Sequence, residues 1–209
     1  VGKEVLEGIV LDYLSLLDTS AAIYEKNGDY ALGIFSSHWC SFLDKKSRAL
    51  CTACDNKKAL GSGKWLCHES CWKDASLKAI ETGKPADIEC NGGLHIYAMP
   101  IESNKEVIGA INFGYGSPPS DPEKLNEISK NYNVSVKELE QLASKYEERP
   151  QFIIDIAKER LAVSARLIGE ILERKIAREE LKASEQKFKS YVQNAPDGIF
   201  ITNEKGEYL

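Results

Sequence analysis

Residues 94–115 of the chain read LHIYAMPIESNKEVIGAINFGY and contain two segments that favour β-strands. Leu94 to Ile101 and Glu106 to Tyr115 are rich in apolar, aromatic and β-branched residues, as strands usually are. Only the polar run Glu102-Ser103-Asn104-Lys105 separates them. Parallel strands need a crossover of about a dozen residues or more, so strands joined by so short a turn must be antiparallel.

Further strands are predicted upstream of this pair. An Asn27-Gly28 dipeptide lies between two β-prone pieces and is a strong hairpin signal. A later helix has a clear start, because Ser135 and Glu138 have the spacing of a capping box. The strand candidates are 21–24, 31–35 and 86–90, and the helix candidates are 3–18, 45–60, 70–82, 121–131 and 135–147. The predicted class is α+β with an antiparallel sheet.

Residues 150–191 are predicted to form one long helix, since Leu, Ile, Lys, Arg and Glu dominate and Gly169 is the single glycine. At 1.5 Å per residue this helix would be roughly 60 Å long. A helix of that length needs a partner, so we expect a homodimer with a parallel coiled coil. The alternative is a helix folded back on its own domain. The residues of the predicted apolar seam are Ile153, Ile156, Val163, Leu167, Ala177, Leu181, Phe188 and Tyr191.

The overall composition is that of an ordinary globular protein, with 43% hydrophobic and 28% charged residues. The formal net charge of −5 argues against a dedicated nucleic-acid binder, which would need clustered Lys and Arg. No apolar run approaches the roughly 18 residues that a membrane span needs, and acidic residues occupy the N-terminal stretch where a signal peptide would be basic. We therefore expect a cytoplasmic protein with no membrane partner.

The six cysteines carry the strongest chemical signal, because cytoplasmic proteins keep thiols reduced and disulfides are not expected there. Cys51-x2-Cys54-x12-Cys67-x3-Cys71 resembles the two close pairs of a tetrahedral thiolate site. Such a site suits zinc or an iron–sulfur cluster. Cys40, Cys90 or His68 could replace a member of the set. Two alternatives stay open: the thiols are buried small hydrophobes, or a close pair acts as a redox switch.

The stretch from about Leu11 to Gly116 resembles the PocR ligand-binding domain family, a variant of the PAS fold. The resemblance implies a PAS-like sheet flanked by helices, and a sensor for small organic molecules at the input end of transcription regulators and histidine kinases. Cys54, Cys67 and Cys71 go beyond the usual family pattern, which favours a metal-containing or redox-responsive subtype. The matching residues are His38-Trp39-Cys40, Phe42, Cys51, Ile88 to Leu94, Met99-Pro100-Ile101 and Val107 to Gly114.

A second resemblance covers the C-terminus, where Asn194-Ala195-Pro196-Asp197-Gly198 and the following apolar residues look like the opening of a PAS domain. Gly198 to Thr202 would be its first strand and 203–206 its turn. Some 20 residues cannot bury the core of such a module, so the chain is expected to be a piece of a longer protein with downstream PAS and kinase modules. The predicted organisation is a sensory domain at 1–149 with a cysteine-rich insertion at about 38–90, a signalling helix at 150–191, and a truncated PAS start at 192–209.

The sequence therefore predicts a ligand- or redox-sensing input domain of a histidine kinase rather than an enzyme. No nucleophile elbow, phosphate loop or H-E-x-x-H motif is present, and a closed four-cysteine site would leave no position for substrate. A structural zinc module for dimerisation is the alternative, and a cysteine or metal enzyme a further one. Residues on or beside the family-like strands are expected to line a ligand pocket: His38, Trp39, Cys40, Cys90, His95, Tyr97, Asn112 and Tyr115.

Overall fold

The structure is a computed structural model and describes residues 2–17, 19–35, 37–52, 55–194 and 203–206. It is α+β, as predicted. The strands are β1 (Ser20–Glu25), β2 (Tyr30–Phe35), β3 (Ala86–Glu89), β4 (His95–Ser103) and β5 (Glu106–Tyr115). The helices are α1 (Lys3–Leu17), α2 (His38–Leu50), α3 (Asn56–Leu60), α4 (Leu66–His68), a π-helix (Glu69–Leu77), α5 (Lys78–Thr82), α6 (Pro122–Tyr132), α7 (Val136–Ala143) and α8 (Gln151–Gln193).

Within the described residues, five strands form one antiparallel sheet in the order β2-β1-β5-β4-β3. The predicted turn between β4 and β5 is confirmed as a tight hairpin, with positive φ at Asn104 and Lys105, the two residues between the strands. Two successive positive φ angles are typical of a type I′ turn, whose twist matches the twist of the strands. The central strand β5 pairs along its length with β4, and with β1 through Gly109 to Phe113.

The two faces of the sheet have different partners, because side chains alternate along each strand. On the first face Ile111 and Phe113 of β5 pack into a core that includes residues of α1 and the first part of α8. On the second face Ala110 joins a core with Ala75 and Ala79 of the helical segment between β2 and β3. A third core joins α2 to α6 and α7 around Trp39, Leu43, Leu125, Ile128, Tyr132 and Leu139.

The helices largely follow the sequence prediction. The capping box of α7 is present, with Ser135 and Glu138 satisfying each other's backbone amides. The predicted helix at 45–60 is wrong in its extent. It begins at His38, because the Ser37 side chain caps its first turn, and it ends at Leu50.

The chain divides into two compact units, residues 1–170 and 171–209. In the first unit α8 buries Ile154, Ala157, Leu161, Ala165 and Ile168 against the core. The alternative to the predicted coiled coil, a helix folded back on its own domain, therefore describes this first part, and the predicted apolar seam does not include the buried face. In the second unit α8 is exposed from Arg174 to Tyr191, including Leu181, Phe188 and Tyr191 of the apolar seam.

The second unit also contains a turn over residues 203–206, in which the Gly206 amide donates to the Asn203 carbonyl. The predicted PAS strand at Gly198 to Thr202 lies outside the described residues. Across the described residues, no helix combines the length and apolar character that crossing a bilayer requires.

At Gly169 the backbone of α8 comes close to the end of β4. A Cβ atom at this position would lie 1.9 Å from the Glu102 carbonyl oxygen, at the end of β4. That oxygen belongs to the backbone of a tight hairpin and cannot move alone. Gly8 is also inside a helix, but a Cβ there would meet nothing within 4 Å.

Gly169→Ala is expected to lower the free energy of unfolding by about 1–3 kcal/mol, the usual cost of overpacking. Gly8→Ala serves as the matched control and should raise it by about 0.5–1 kcal/mol, since alanine favours a helix. Urea denaturation of both variants and the parent measures the difference. Equal stabilisation by the two substitutions would contradict the close packing of α8 against the β4–β5 hairpin.

Candidate functional site

A cavity of about 50 Å³ lies on the second face of the sheet, beneath the helical segment that connects β2 to β3. This volume exceeds the ~10–15 Å³ that one water occupies. It is far below the ~300–1,000 Å³ of a site for a drug-sized ligand. Four of the residues that line it are cysteines: Cys40, Cys67, Cys71 and Cys90.

Three separate parts of the chain supply these cysteines. Cys40 lies in the first turn of α2, where its backbone N–H donates to the Ser37 side chain at 3.1 Å. Cys67 belongs to α4, and Cys71 follows four residues later in the π-helix. Cys90 follows β3 and is fixed by a turn, since its N–H donates to the Leu94 carbonyl at 2.7 Å.

The π-helix is held to the sheet by Asn112 of β5. The Asn112 side-chain amide donates to the Cys71 carbonyl at 3.1 Å and to the Ser76 hydroxyl at 2.9 Å. Ser70 accepts from both the backbone and the side-chain nitrogen of Asn91. Wide helical turns are rare and occur frequently at functional sites. Here the wide turns place Cys71 over the cavity.

The loop that carries Cys90 is also tied to α2. The indole N–H of Trp39 donates to the Gly92 carbonyl at 3.0 Å, and Trp39 is 1% exposed. This buried bond keeps the Cys90 loop beside the first turn of α2, which contains Cys40.

The electrostatics of the cavity favour neutral thiols. Burial raises the pKa of Cys40, Cys67 and Cys71, and it raises the pKa of Cys90 to about 11. Mutual repulsion of the thiolates adds to the effect for Cys67 and Cys71. Among the described residues, no lysine or arginine lines the cavity.

Several hydrogen-bond donors nevertheless oppose this burial effect. The Ser37 hydroxyl lowers the pKa of the Cys40 thiol, and the backbone N–H groups of Gly92 and Leu94 lower that of Cys90. The Tyr132 hydroxyl lies 3.7 Å from the Cys67 sulfur. These contacts favour the charged thiolate over the neutral thiol.

A family model described as the sensory domain found in PocR matches residues 1–173. The chain belongs to the PocR sensory-domain family. Searches of curated proteins and of solved structures find no significant match. In this PocR domain, α1 and the first part of α8 lie within the matched residues.

Of the four cysteines that the spacing suggested, Cys67 and Cys71 line the cavity. Cys51 is buried at the end of α2, among Ala59 and Trp65, and does not line the cavity. Cys54 lies outside the described residues. His68 is buried against Tyr30, whose hydroxyl lies 3.2 Å from its Nδ1. Burial lowers the pKa of His68 to about 4.

Cys40 and Cys90, expected as substitutes, line the cavity with Cys67 and Cys71. Among the described residues, no three or more His, Cys, Asp or Glu side chains form a group that could hold a metal ion.

The other predicted pocket residues are divided between the cavity and its surroundings. His95 and Asn112 line it. His38 is exposed, and Trp39 packs in the core behind Cys40. Tyr97 and Tyr115 contact Phe113 on the first face.

Sequence reasoning missed the three tyrosines that line the cavity, Tyr24, Tyr30 and Tyr132. The Tyr24 and Tyr30 hydroxyls are hydrogen-bonded to each other at 2.8 Å. Alternation along β1 would have placed Tyr24 on the face opposite Ile23. Nothing local marks Tyr132, which reaches the cavity from the end of α6.

Asn112→Leu is expected to lower the free energy of unfolding by about 1–3 kcal/mol, because it leaves the Cys71 carbonyl and the Ser76 hydroxyl without their donor. Asn126→Leu is the matched control, since Asn126 also donates to a backbone carbonyl but on the exposed surface of α6. Its effect should stay within about 0.5 kcal/mol. Denaturant titrations measure both, and equal effects would show that Asn112 does not anchor the π-helix.

Proposed function

We propose that this PocR domain is the cytoplasmic input part of a signal-transduction protein, a histidine kinase, and that the cysteine-lined cavity is its sensing site. The observation that carries the proposal is the convergence of Cys40, Cys67, Cys71 and Cys90 on one small cavity of a sensory-domain fold. The signal is either the redox state of the thiols or the binding of a small group. A cysteine-bound metal, as zinc or an iron–sulfur cluster, and a small organic ligand are the candidate occupants.

The proposed route from the cavity to α8 passes around one edge of the sheet. His95 borders the cavity and its ring stacks on Tyr115, with centroids 5.2 Å apart. The Tyr115 hydroxyl donates to Asp87 at 2.6 Å. Lys158 of α8 donates to Asp87 at 2.7 Å and to the Tyr115 hydroxyl at 3.1 Å. A change in His95 thus acts on the group that holds the first part of α8.

The proposed output is a change in α8 within a parallel homodimer. On the first part of α8, Ile156, Val163 and Leu167 of the apolar seam are more than 40% exposed although the opposite face is buried. In the second unit Leu181 and Phe188 of the seam are 62% and 58% exposed. Seven-residue spacing of such residues is typical of a coiled coil. Downstream PAS and kinase modules would receive the signal.

A structural zinc module that serves only dimerisation is the second candidate, and the exposed seam favours it. The two functions differ in one respect: a sensor must change α8 when the cavity changes, whereas a structural module need not. Catalytic activity is not proposed, because the family is described as sensory.

Modification of the cavity thiols with methyl methanethiosulfonate is expected to change hydrogen exchange in residues 151–170. Mass spectrometry identifies which cysteines carry the methylthio group and measures exchange in the same sample. The change should disappear in Lys158→Met, which removes the link to Asp87 and lowers stability by about 1 kcal/mol at most. Lys175→Met breaks only a surface pair with Glu179 and serves as control. Unchanged exchange of 151–170 in protein labelled at the cavity would overturn the sensing proposal.

Leu181→Glu combined with Phe188→Glu is expected to convert a dimer into a monomer, because four carboxylates would enter the apolar seam of the paired helices. Sedimentation equilibrium measures the mass. Lys182→Glu combined with Lys189→Glu changes charge one residue further along, off the seam, and should leave the dimer in place. A monomeric parent protein, or a seam variant that remains dimeric, would contradict the proposed interface.

A further inference from the structure

The four cavity cysteines form a set of sulfur ligands around one space. They come from α2, from α4 and the π-helix, and from the loop after β3, so the tertiary fold and not the local sequence assembles them. We propose that Cys40, Cys67, Cys71 and Cys90 hold one iron–sulfur cluster, each cysteine bonded to an iron. This inference rests on the proposed function, since it identifies the group at the sensing site.

Hydrogen-bond donors surround the cavity sulfurs. The Tyr132 hydroxyl lies 3.7 Å from the Cys67 sulfur. The Ser37 hydroxyl contacts the Cys40 thiol, and the backbone N–H groups of Gly92 and Leu94 contact that of Cys90. Hydrogen bonds to the ligating sulfurs are a feature by which proteins tune such clusters.

The arrangement favours a cluster over a single zinc ion. A tetrahedral zinc ion with Zn–S distances of about 2.3 Å needs its four sulfurs within roughly 4 Å of one another. In the described part of the chain no such group exists, although four cysteines line the same cavity. In a four-iron cluster each cysteine binds its own iron, and bridging sulfides fill the space between the irons. The ligating sulfurs then lie around a volume, which is what the proposal requires of the four cysteines that line this cavity.

A further observation indicates a built site. The cysteine-bearing segments are separately fastened, by Asn112 to the π-helix and by Trp39 to the Cys90 loop. A rigid set of ligands requires such supports.

The binding step balances as a ligand exchange without a change of oxidation state. A preformed iron–sulfur core arrives with small thiolates on its irons. Four bonds between iron and small thiolate break, and four bonds between iron and cysteine sulfur form. The four cysteine protons pass to the departing thiolates. Cluster uptake therefore needs no oxidant or reductant beyond the core itself.

The test uses the full chain, under anaerobic conditions, mixed with an iron–sulfur core that carries 2-mercaptoethanol ligands. After desalting, the parent protein is expected to retain a broad visible absorption and to contain iron and sulfide in equal amounts. Cys40→Ser, Cys67→Ser, Cys71→Ser and Cys90→Ser should each lose most of this absorption. Cys51→Ser is the matched control, because Cys51 is buried outside the cavity, and it should load like the parent.

A second measurement keeps the test valid if a serine variant fails to fold. In loaded parent protein the four cavity cysteines should resist alkylation under denaturant-free conditions, whereas Cys51 should react to the same extent with and without the cluster. Each of three results would overturn the proposal: no iron and sulfide retained, one zinc ion bound in place of iron, or protection that depends on Cys51 and Cys54.

The cluster proposal and the sensing proposal can be rejected independently of each other. If the protein stays colourless but hydrogen exchange in α8 still responds to thiol modification, the cluster proposal is wrong and the sensing proposal stands. If the protein binds the cluster but hydrogen exchange in α8 is unchanged by the cluster and by thiol modification, the cluster proposal stands and the sensing proposal is wrong.

Discussion

The alternation of side chains along β5 is the constraint on which the rest of this fold depends. Ile111 and Phe113 point to one face and anchor α1 and α8 there, while Asn112 between them points to the other and holds the π-helix. Because the period is two residues, a shift of register by one would exchange these roles. It would place the amide in the apolar core and remove the support of Cys71. The register of the central strand therefore fixes both the cavity and the position of α8.

The cavity is lined by polar groups, by apolar residues and by four cysteines. Apolar residues such as Ala22 and Ile96 line part of it, so a charged sulfur is disfavoured unless something compensates. The donors around Cys40, Cys67 and Cys90 compensate only in part, since the pKa of each thiol remains raised. In the proposed sensor, an occupant of the cavity would act on this balance between neutral and charged sulfur.

Much of the fold could be predicted from the sequence, because its signals are local. The β4–β5 hairpin follows from two β-prone runs and a four-residue polar segment, and the α7 cap follows from Ser135 and Glu138. The site could be predicted only in part. Sequence spacing can group only cysteines that are close along the chain. Cys40 and Cys90 come near Cys67 because α2 and the β3–β4 turn fold over the sheet. The π-helix has no comparable sequence signal, since it depends on the Asn112 amide from a distant strand.

The sequence pattern of α8 also predicted only one of its two apolar faces. A seam of apolar residues at seven-residue spacing indicates one partner, yet in the first unit α8 has a second apolar face that packs on its own domain through Ala157, Leu161 and Ala165. Gly169 allows the helix backbone to approach the β4–β5 hairpin where that face ends. One face of this part of α8 packs on the sensory domain and the other is exposed, so the helix can respond both to the domain and to a partner helix. A signal can change such a helix only if it has different affinity for two arrangements of the domain. In the proposed mechanism, the Lys158–Asp87 contact carries that difference to α8 from the cavity on the opposite face of the sheet.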